Sequence, residues 1–384
     1  MLVETSTSPR LEIGAHAACG RDSLGAGIIS ISEPTVRRTM DDTVRLAAEY
    51  AAERSLDHDW DSLGEFGVAL NGLLAIDDGT FTETIDELVD RAVRTQTSSG
   101  QLCHDFVGSG SWDDVVTSWS GTGGFTSNIG APLVGQAVLD VLDRTDGARY
   151  RDAARRQYEA LNAVERTAGG GIPTRRERPE LWIDAVFMVA PFLSRFGRLT
   201  GASAPHDEAV RQIRVHGDHL EADNHGVFRH IWCEQPDTYP DGALWARGNG
   251  WMLAGMVDTL AALPDDHDER DWLETRFVDL SEALRSFRDD SGLWRNVLDD
   301  PMAPLEVSAA CQFAYAYQRG VDAGLLDPEY ERLASHSMET AASLVATDGE
   351  IKRVALTPGG PGAPIGGGGH GQGWFLLAAG AVWS

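Results

Sequence analysis

Five times along this chain a helical pattern gives way to a glycine, then an apolar residue, then in most cases a cationic or imidazole side chain. The stretches are Gly100-Gln101-Leu102-Cys103-His104, Gly171-Ile172-Pro173-Thr174-Arg175, Gly226-Val227-Phe228-Arg229-His230, Gly292-Leu293-Trp294-Arg295 and Gly349-Glu350-Ile351-Lys352-Arg353. Between them, apolar residues recur at i, i+3, i+4 and i+7, which predicts helices near 36–53, 62–77, 80–98, 130–144, 149–166, 183–199, 206–220, 249–263, 268–288, 305–322, 328–346 and 370–382. The glycine stretches fall after every second helix, so two helices and one loop form a degenerate repeat of about 55 to 70 residues. Glycine is expected to supply the left-handed C′ position that ends each helix, and the apolar residue after it to tuck the loop against a rim. Six such hairpins in a ring give an all-α fold, the (α/α)6 toroid. An open solenoid is the alternative, but its repeats are shorter and more uniform, roughly 33 to 47 residues.

No linker rich in Pro, Ser or charge divides the chain. One domain over 34–384 is expected, preceded by a loose, aperiodic arm at 1–33. With 59 Asp+Glu against 32 Lys+Arg, the formal charge is −27. Without basic clusters there is little counterion release to gain, so nucleic acid is excluded as a partner. Lys352 is the only lysine. So acidic a surface repels itself in dilute buffer and is screened near 1 M salt, where the Debye length is about 3 Å. We therefore expect adaptation to high salt, and greater stability in low salt than in molar KCl would count against it. Residues 1–30 show no apolar core behind a basic start, and no run reaches about 18 apolar residues. The expectation is a cytoplasmic protein with no membrane partner. Cys19, Cys103, Cys233 and Cys311 lack C-x-x-C spacing and read as unrelated thiols.

In a toroid of hairpins the loops at one end build a funnel, and the long segments 99–129 and 221–248 concentrate aromatic residues there. They hold Trp112, Trp119, Phe125, Phe228, Trp232, Tyr239 and Trp245, while Trp60, Trp182, Trp251 and Trp294 stand near helix starts. Rings at a polar mouth suit the apolar faces of sugars, although a tryptophan is ordinarily core.

Three motifs carry chemistry. In Glu180-Leu181-Trp182-Ile183-Asp184, an acid opens a helix made apolar by Val186, Phe187, Ala190, Leu193 and Phe196. A helix dipole lowers a carboxyl pKa, whereas a general acid needs it raised, so burial or a second charge must act on Asp184 if it is one. In Trp245-Ala246-Arg247-Gly248-Asn249-Gly250-Trp251, glycines admit a ligand, Arg247 can grip a carboxylate with two parallel hydrogen bonds, and the two indoles offer stacking faces. In Phe228-Arg229-His230-Ile231-Trp232 the histidine stands in a funnel loop, with His370 before the last helix as a possible second imidazole. No phosphate loop, H-E-x-x-H or calcium loop is present, so neither metal nor cofactor is indicated. Gly108-Ser109-Gly110-Ser111 is out of register for a nucleophile elbow.

Taken in order, Trp182-Ile183-Asp184 with Phe187-Met188-Val189-Ala190-Pro191-Phe192, then Gly226 to Trp232, then Trp245 to Trp251, and then Glu306-Val307-Ser308-Ala309-Ala310 through Ala316, the sequence resembles the unsaturated glucuronyl and rhamnogalacturonyl hydrolases of glycoside hydrolase families 88 and 105. The resemblance implies the (α/α)6 barrel reached above by counting helices. It also implies an oligosaccharide substrate ending in a 4,5-unsaturated uronic acid, removed by hydration of the C4=C5 bond. Asp184 would be the proton donor and Trp182, His230, Trp245, Arg247, Trp251 and Asn128 would bind the sugar. Asn128 stands where the family carries a second Asp, so it would raise the pKa of Asp184 less than a carboxylate would. Arg175 would be a further cationic contact.

Three rival readings remain. A sugar epimerase of the same barrel class would use His230 and His370 as bases on either face of a sugar. A silent sugar-binding barrel would bind without turnover. An inverting glycosidase would need a second carboxylate such as Asp113 or Asp114.

Overall fold

Why the twelve described helices must close on themselves is visible in their faces. In a computed structural model describing residues 39–57, 59–103, 127–223, 225–357 and 359–383, the odd-numbered helices are amphipathic. Helix α3 (Thr82–Arg94) buries Ile85, Leu88, Val89 and Ala92, one stripe at helical spacing. The others of this kind are α1 (Met40–Leu56), α5 (Ala148–Asn162), α7 (Ser203–Leu220), α9 (Arg270–Arg285) and α11 (Glu329–Ala342). The even-numbered helices are buried on nearly every side: α2 (Leu63–Ile76), α4 (Gly130–Thr145), α6 (Ala185–Thr200), α8 (Ala246–Ala262), α10 (Ser308–Asp322) and α12 (Gly369–Val382). A helix without a polar face has to be enclosed, and each even helix packs between two other even helices, with α12 returning to α2. The odd helices clothe this inner ring. The fold is thus the six-hairpin (α/α)6 toroid, and its core is the inner ring itself. None of the described helices is long and apolar enough to cross a membrane.

The two ends of the ring differ. Short turns join each inner helix to the next outer one, such as Gly201–Ala202 between α6 and α7. The long loops all run from an outer helix to the N-terminus of the next inner helix. They hold the only strands among the described residues, each of two to four residues: β1 (Glu180–Trp182), β2 (Ile231–Cys233) and β3 (Thr238–Asp241) in one antiparallel sheet, then the pairs β4 (Trp294–Arg295) with β5 (Leu305–Glu306) and β6 (Val354–Ala355) with β7 (Ile365–Gly366).

The repeated glycine does a different job from the one expected. It is not the helix C′ residue. In four loops it is the left-handed residue of a tight turn placed four or more residues after the helix ends. Gly100 N–H donates to Thr97 O while Thr97 N–H donates to Gln101 O, and the same pair of bonds recurs around Gly170, Gly292 and Gly349. This is a type I turn followed by a glycine bulge. In the second loop the left-handed residue is therefore Gly170 rather than Gly171. The loop at Gly226 is one residue longer. The apolar residue that follows is buried in every case, at Leu102, Ile172, Val227, Leu293 and Ile351. Buried amides anchor three of these residues: the N–H groups of Leu102, Ile172 and Ile351 donate to Gln157, Gln212 and Gln372. Gly349 has φ of 91°, and a Cβ there would lie 2.3 Å from Leu46 O. Gly349→Ala is therefore expected to lower stability by about 1–3 kcal/mol, read as a fall in Tm.

Three of the cysteines, Cys103, Cys233 and Cys311, are buried. Cys19, the 1–33 arm, His104, Gly108 to Ser111, Trp112, Asp113, Asp114, Trp119 and Phe125 lie outside the described residues.

Candidate active site

The N-terminal ends of α2, α4, α6, α8 and α12 meet at one cavity of about 60 Å³, lined by Ser62, Gly64, Ser127, Trp182, Asp184, Met188, Trp245, Arg247, Thr357 and His370 among others. Among the described lining residues Asp184 is the only carboxylate and Arg247 the only guanidinium.

Asp184 is the N-cap of α6, yet its side chain makes no capping hydrogen bond. The ordinary use of an acid at a helix start is thus not its use here. Oδ2 is buried without a hydrogen-bond partner among the described residues and faces His230 Nε2 at 3.6 Å. The neighbouring charge sought in the sequence is consequently an imidazole and not a carboxylate. His230 is buried, and its Nδ1 is 2.8 Å from Asp241 Oδ2. Burial disfavours the imidazolium, but the two negative carboxylates beside it, Asp184 and the hydrogen-bonded Asp241, outweigh it and raise the histidine above its ordinary pKa. Asp241 was missed in the sequence because β3 reads as a turn, Tyr-Pro-Asp-Gly. Its meeting with His230 depends on the pairing of β2 with β3, in which Ile231 faces Asp241.

Helix α8 begins at Ala246, three residues before the start expected from the glycines, so Trp245 is its N-cap and Arg247 lies in its first turn. Arg247 is wholly buried. One nitrogen, Nη1, donates to Ser308 Oγ (3.1 Å) and to Ala355 O, while Nε and Nη2 have no partner among the described residues. The guanidinium also stacks on Trp245, 4.5 Å from the ring centroid. Burial pulls its pKa down, and Glu306, Asp184 and Glu65 oppose that. Glu306 caps α10, which starts at Ser308, by accepting from Ser308 N, Ser308 Oγ and Ala309 N.

The remaining expected residues divide. Trp182 lines the cavity, packs edge-on to His230 and carries Arg175 on its ring at 5.0 Å. Trp251 does not line it. The indole is fully buried among Phe187, Trp374 and His370, because a helix turned inward on all sides buries whatever it carries. Asn128 sits in the rim, its Nδ2 donating to Pro173 O and its Oδ1 accepting from Arg176. His370 lines the cavity, with Nδ1 unpartnered and its pKa pushed well down by burial and by Arg247. Of the described aromatic residues singled out in the sequence, only Trp182 and Trp245 reach the cavity wall. Trp294, for instance, packs on Phe313 in the core.

Glu65 was also overlooked, although it is an isolated acid in an apolar helix. Burial, and then Asp61, raise its pKa to about 7, with Arg247 and Arg54 opposing. Between 4.5, its ordinary value, and about 7, the folded protein keeps a proton that the unfolded chain releases, so stability falls as pH rises through that window. Glu65→Gln mimics the protonated form. It is expected to raise stability at pH 8 by about 1–3 kcal/mol and to leave it nearly unchanged at pH 4, measured by denaturant unfolding at both.

Fold and site together define a six-hairpin helical toroid with one acid and one guanidinium among the described residues that line its cavity. Solved structures share that architecture. A family 105 glycoside hydrolase from C. acetobutylicum superimposes with a TM-score of 0.71 at 19% identity, covering 88% of this chain and 99% of that one. An unsaturated glucuronyl hydrolase from a Bacillus species gives 0.64 at 14% identity, covering 90% and 98%. The chain belongs to Glycosyl Hydrolase Family 88, whose model matches residues 36–382. Among curated relatives, an unsaturated rhamnogalacturonyl hydrolase of Bacillus subtilis is 29% identical over 46% of this chain and 49% of its own length. An unsaturated 3S-rhamnoglycuronyl hydrolase of Formosa agariphila is 28% identical over 52% and 57%. The matched stretch thus spans about half the length of these relatives.

Proposed function

We propose that the protein removes a terminal 4,5-unsaturated uronic acid from oligosaccharides by hydrating the C4=C5 double bond, within one catalytic domain over 34–384. The observation that carries this reading is the charge inventory of the described cavity wall, which holds one acid, Asp184, and one guanidinium, Arg247. An ordinary glycosidase needs two carboxylates flanking the scissile bond, about 5 to 9 Å apart. Protonating a vinyl ether needs a single proton shuttle, and the uronate needs a cation to hold its carboxylate.

Arg247 suits that second task. Nε and Nη2 are buried and have no partner among the described residues, and an arriving carboxylate would satisfy both at once. Trp182 and Trp245 give apolar walls for the flat, unsaturated ring. Asp184 Oδ2 then delivers its proton to C4 while water adds at C5 and returns a proton to the carboxylate. The product is a hemiketal whose opening breaks the bond to the next sugar, so one water is consumed and the acid is regenerated. The names of the family 88 relatives support the unsaturated uronide as the substrate class.

The test is loss of the ultraviolet absorbance of the conjugated enoate when the protein meets lyase-generated oligosaccharides. Steady loss supports hydration. An unchanged signal with pectin, ulvan and glycosaminoglycan fragments alike would sink the reading and turn attention to epimerisation by His230 and His370.

A further inference from the structure

His230 is buried with one nitrogen tied and the other held in readiness. Because Asp241 accepts through Oδ2, 2.8 Å from Nδ1, the hydrogen on Nδ1 is fixed there. Asp241 is itself held, its Oδ1 accepting from Ala243 N at 3.0 Å. The proton that comes and goes is therefore the one on Nε2. That nitrogen points at Asp184 Oδ2 from 3.6 Å, and neither atom has a hydrogen-bond partner among the described residues. The gap exceeds a hydrogen bond, as catalytic contacts often do before substrate tightens them. Behind the dyad the chain passes so close that a Cβ on Gly360 would lie 2.6 Å from Asp241 Oδ2.

We propose that Asp241 and His230 form a proton reservoir for Asp184, handing the Nε2 proton to Oδ2 when substrate displaces water from the cavity. The inference rests on the reading of Asp184 as the acid, and it answers the difficulty that a helix N-terminus works against a protonated carboxyl. In the open cavity the pair is an ion pair, carboxylate beside imidazolium. Once water leaves and a substrate carboxylate enters, two charges in low dielectric cost more than two neutral groups. The proton then moves from nitrogen to oxygen, and Asp184 is loaded as a neutral acid. It passes that proton to C4, the water adding at C5 returns one to the pair, and nothing is left over.

The groups facing His230 set the sign. Asp184 comes from the start of α6 and Asp241 from β3, while the segment with Gly359 and Gly360 brings no charge. The nearest cation of α8 is Arg247, packed on the Trp245 ring that His230 also touches at 4.4 Å between centroids. His370, across the cavity, is held neutral by burial. Two carboxylates against one guanidinium leave His230 protonated beyond its ordinary range.

Asp241→Asn keeps an oxygen acceptor for Nδ1–H and removes one negative charge. Asp241 is on this account a positioning residue, so the readout is the pH dependence. The titration of His230, followed by NMR and assigned by its loss in His230→Gln, is expected to move to lower pH by about one unit. The alkaline limb of kcat should move with it, while KM stays within about threefold. A uniform fall in kcat with the limb unmoved would mean that Asp241 only shapes the loop, and would overturn the proposal. Asp184→Asn, removing the other carboxylate, should lower the same titration, which keeps the idea open to refutation if Asp241→Asn does not fold. An unmoved titration in either variant overturns it. The titration needs no substrate. A wild type without turnover therefore refutes the reading of Asp184 separately, with the charge state of the dyad still decided.

Discussion

Asp184→Asn is expected to abolish the loss of enoate absorbance, by about 10³-fold or more in kcat, while the protein stays folded and still binds the oligosaccharide. The magnitude follows from removing the only carboxylate in the described cavity wall, since general acid catalysis supplies typically 10² to 10⁴ and no neighbouring acid replaces it. The fold should tolerate the change because the side chain caps nothing and Oδ2 has no hydrogen bond to lose. Intact near-UV circular dichroism, together with substrate binding by calorimetry, would separate lost chemistry from lost structure. Absorbance loss surviving in this variant would remove Asp184 as the acid, and binding with no turnover even in wild type would favour a silent sugar-binding barrel.

Arg247→Met should unfold the protein or cost it about 3–5 kcal/mol, the usual penalty for stranding the partners of a buried cation. Glu306 has no exposed surface, and Glu65 is nearly as deeply set. Both lose the guanidinium whose charge they share. Arg247→Lys tests the other half of the role. It keeps a positive charge but offers a point donor where the arginine presents Nε and Nη2 side by side. KM for an unsaturated uronide is expected to rise at least tenfold, with kcat less affected, because the carboxylate is bound in the ground state and transition state alike. Chemical denaturation of both variants, with steady-state kinetics of the lysine form, would check this. An unchanged KM would remove Arg247 from substrate recognition and leave it a structural cation.

Much of this was legible along the chain because it depends on local period. All twelve helices of the described residues were expected, and the alternation of amphipathic with wholly apolar helices follows from which ones are enclosed. Asp184 and Arg247 were found because each stands at the start of an inner helix, where a charged residue breaks an apolar run. The repeated glycines were recognised but assigned to helix ends, since a left-handed residue just after a helix looks the same in sequence whether it caps the helix or turns the loop. Trp251 was placed at the substrate because a motif shows that an indole is present and not which way it faces.

What the sequence determined alone was therefore periodicity: the helices, the six hairpins, the ring that apolar inner helices require, and the acid and cation at its mouth. The partners of those two groups were decided only by tertiary structure. Asp241 reaches His230 through one strand register, and His230 reaches Asp184 across two loops that meet when β1 pairs with β2. Glu65 comes under the influence of Arg247 only when the ring closes from α12 back to α2. Charges separated by dozens of residues act on one another through a few ångströms of space, and local pattern holds no record of that distance.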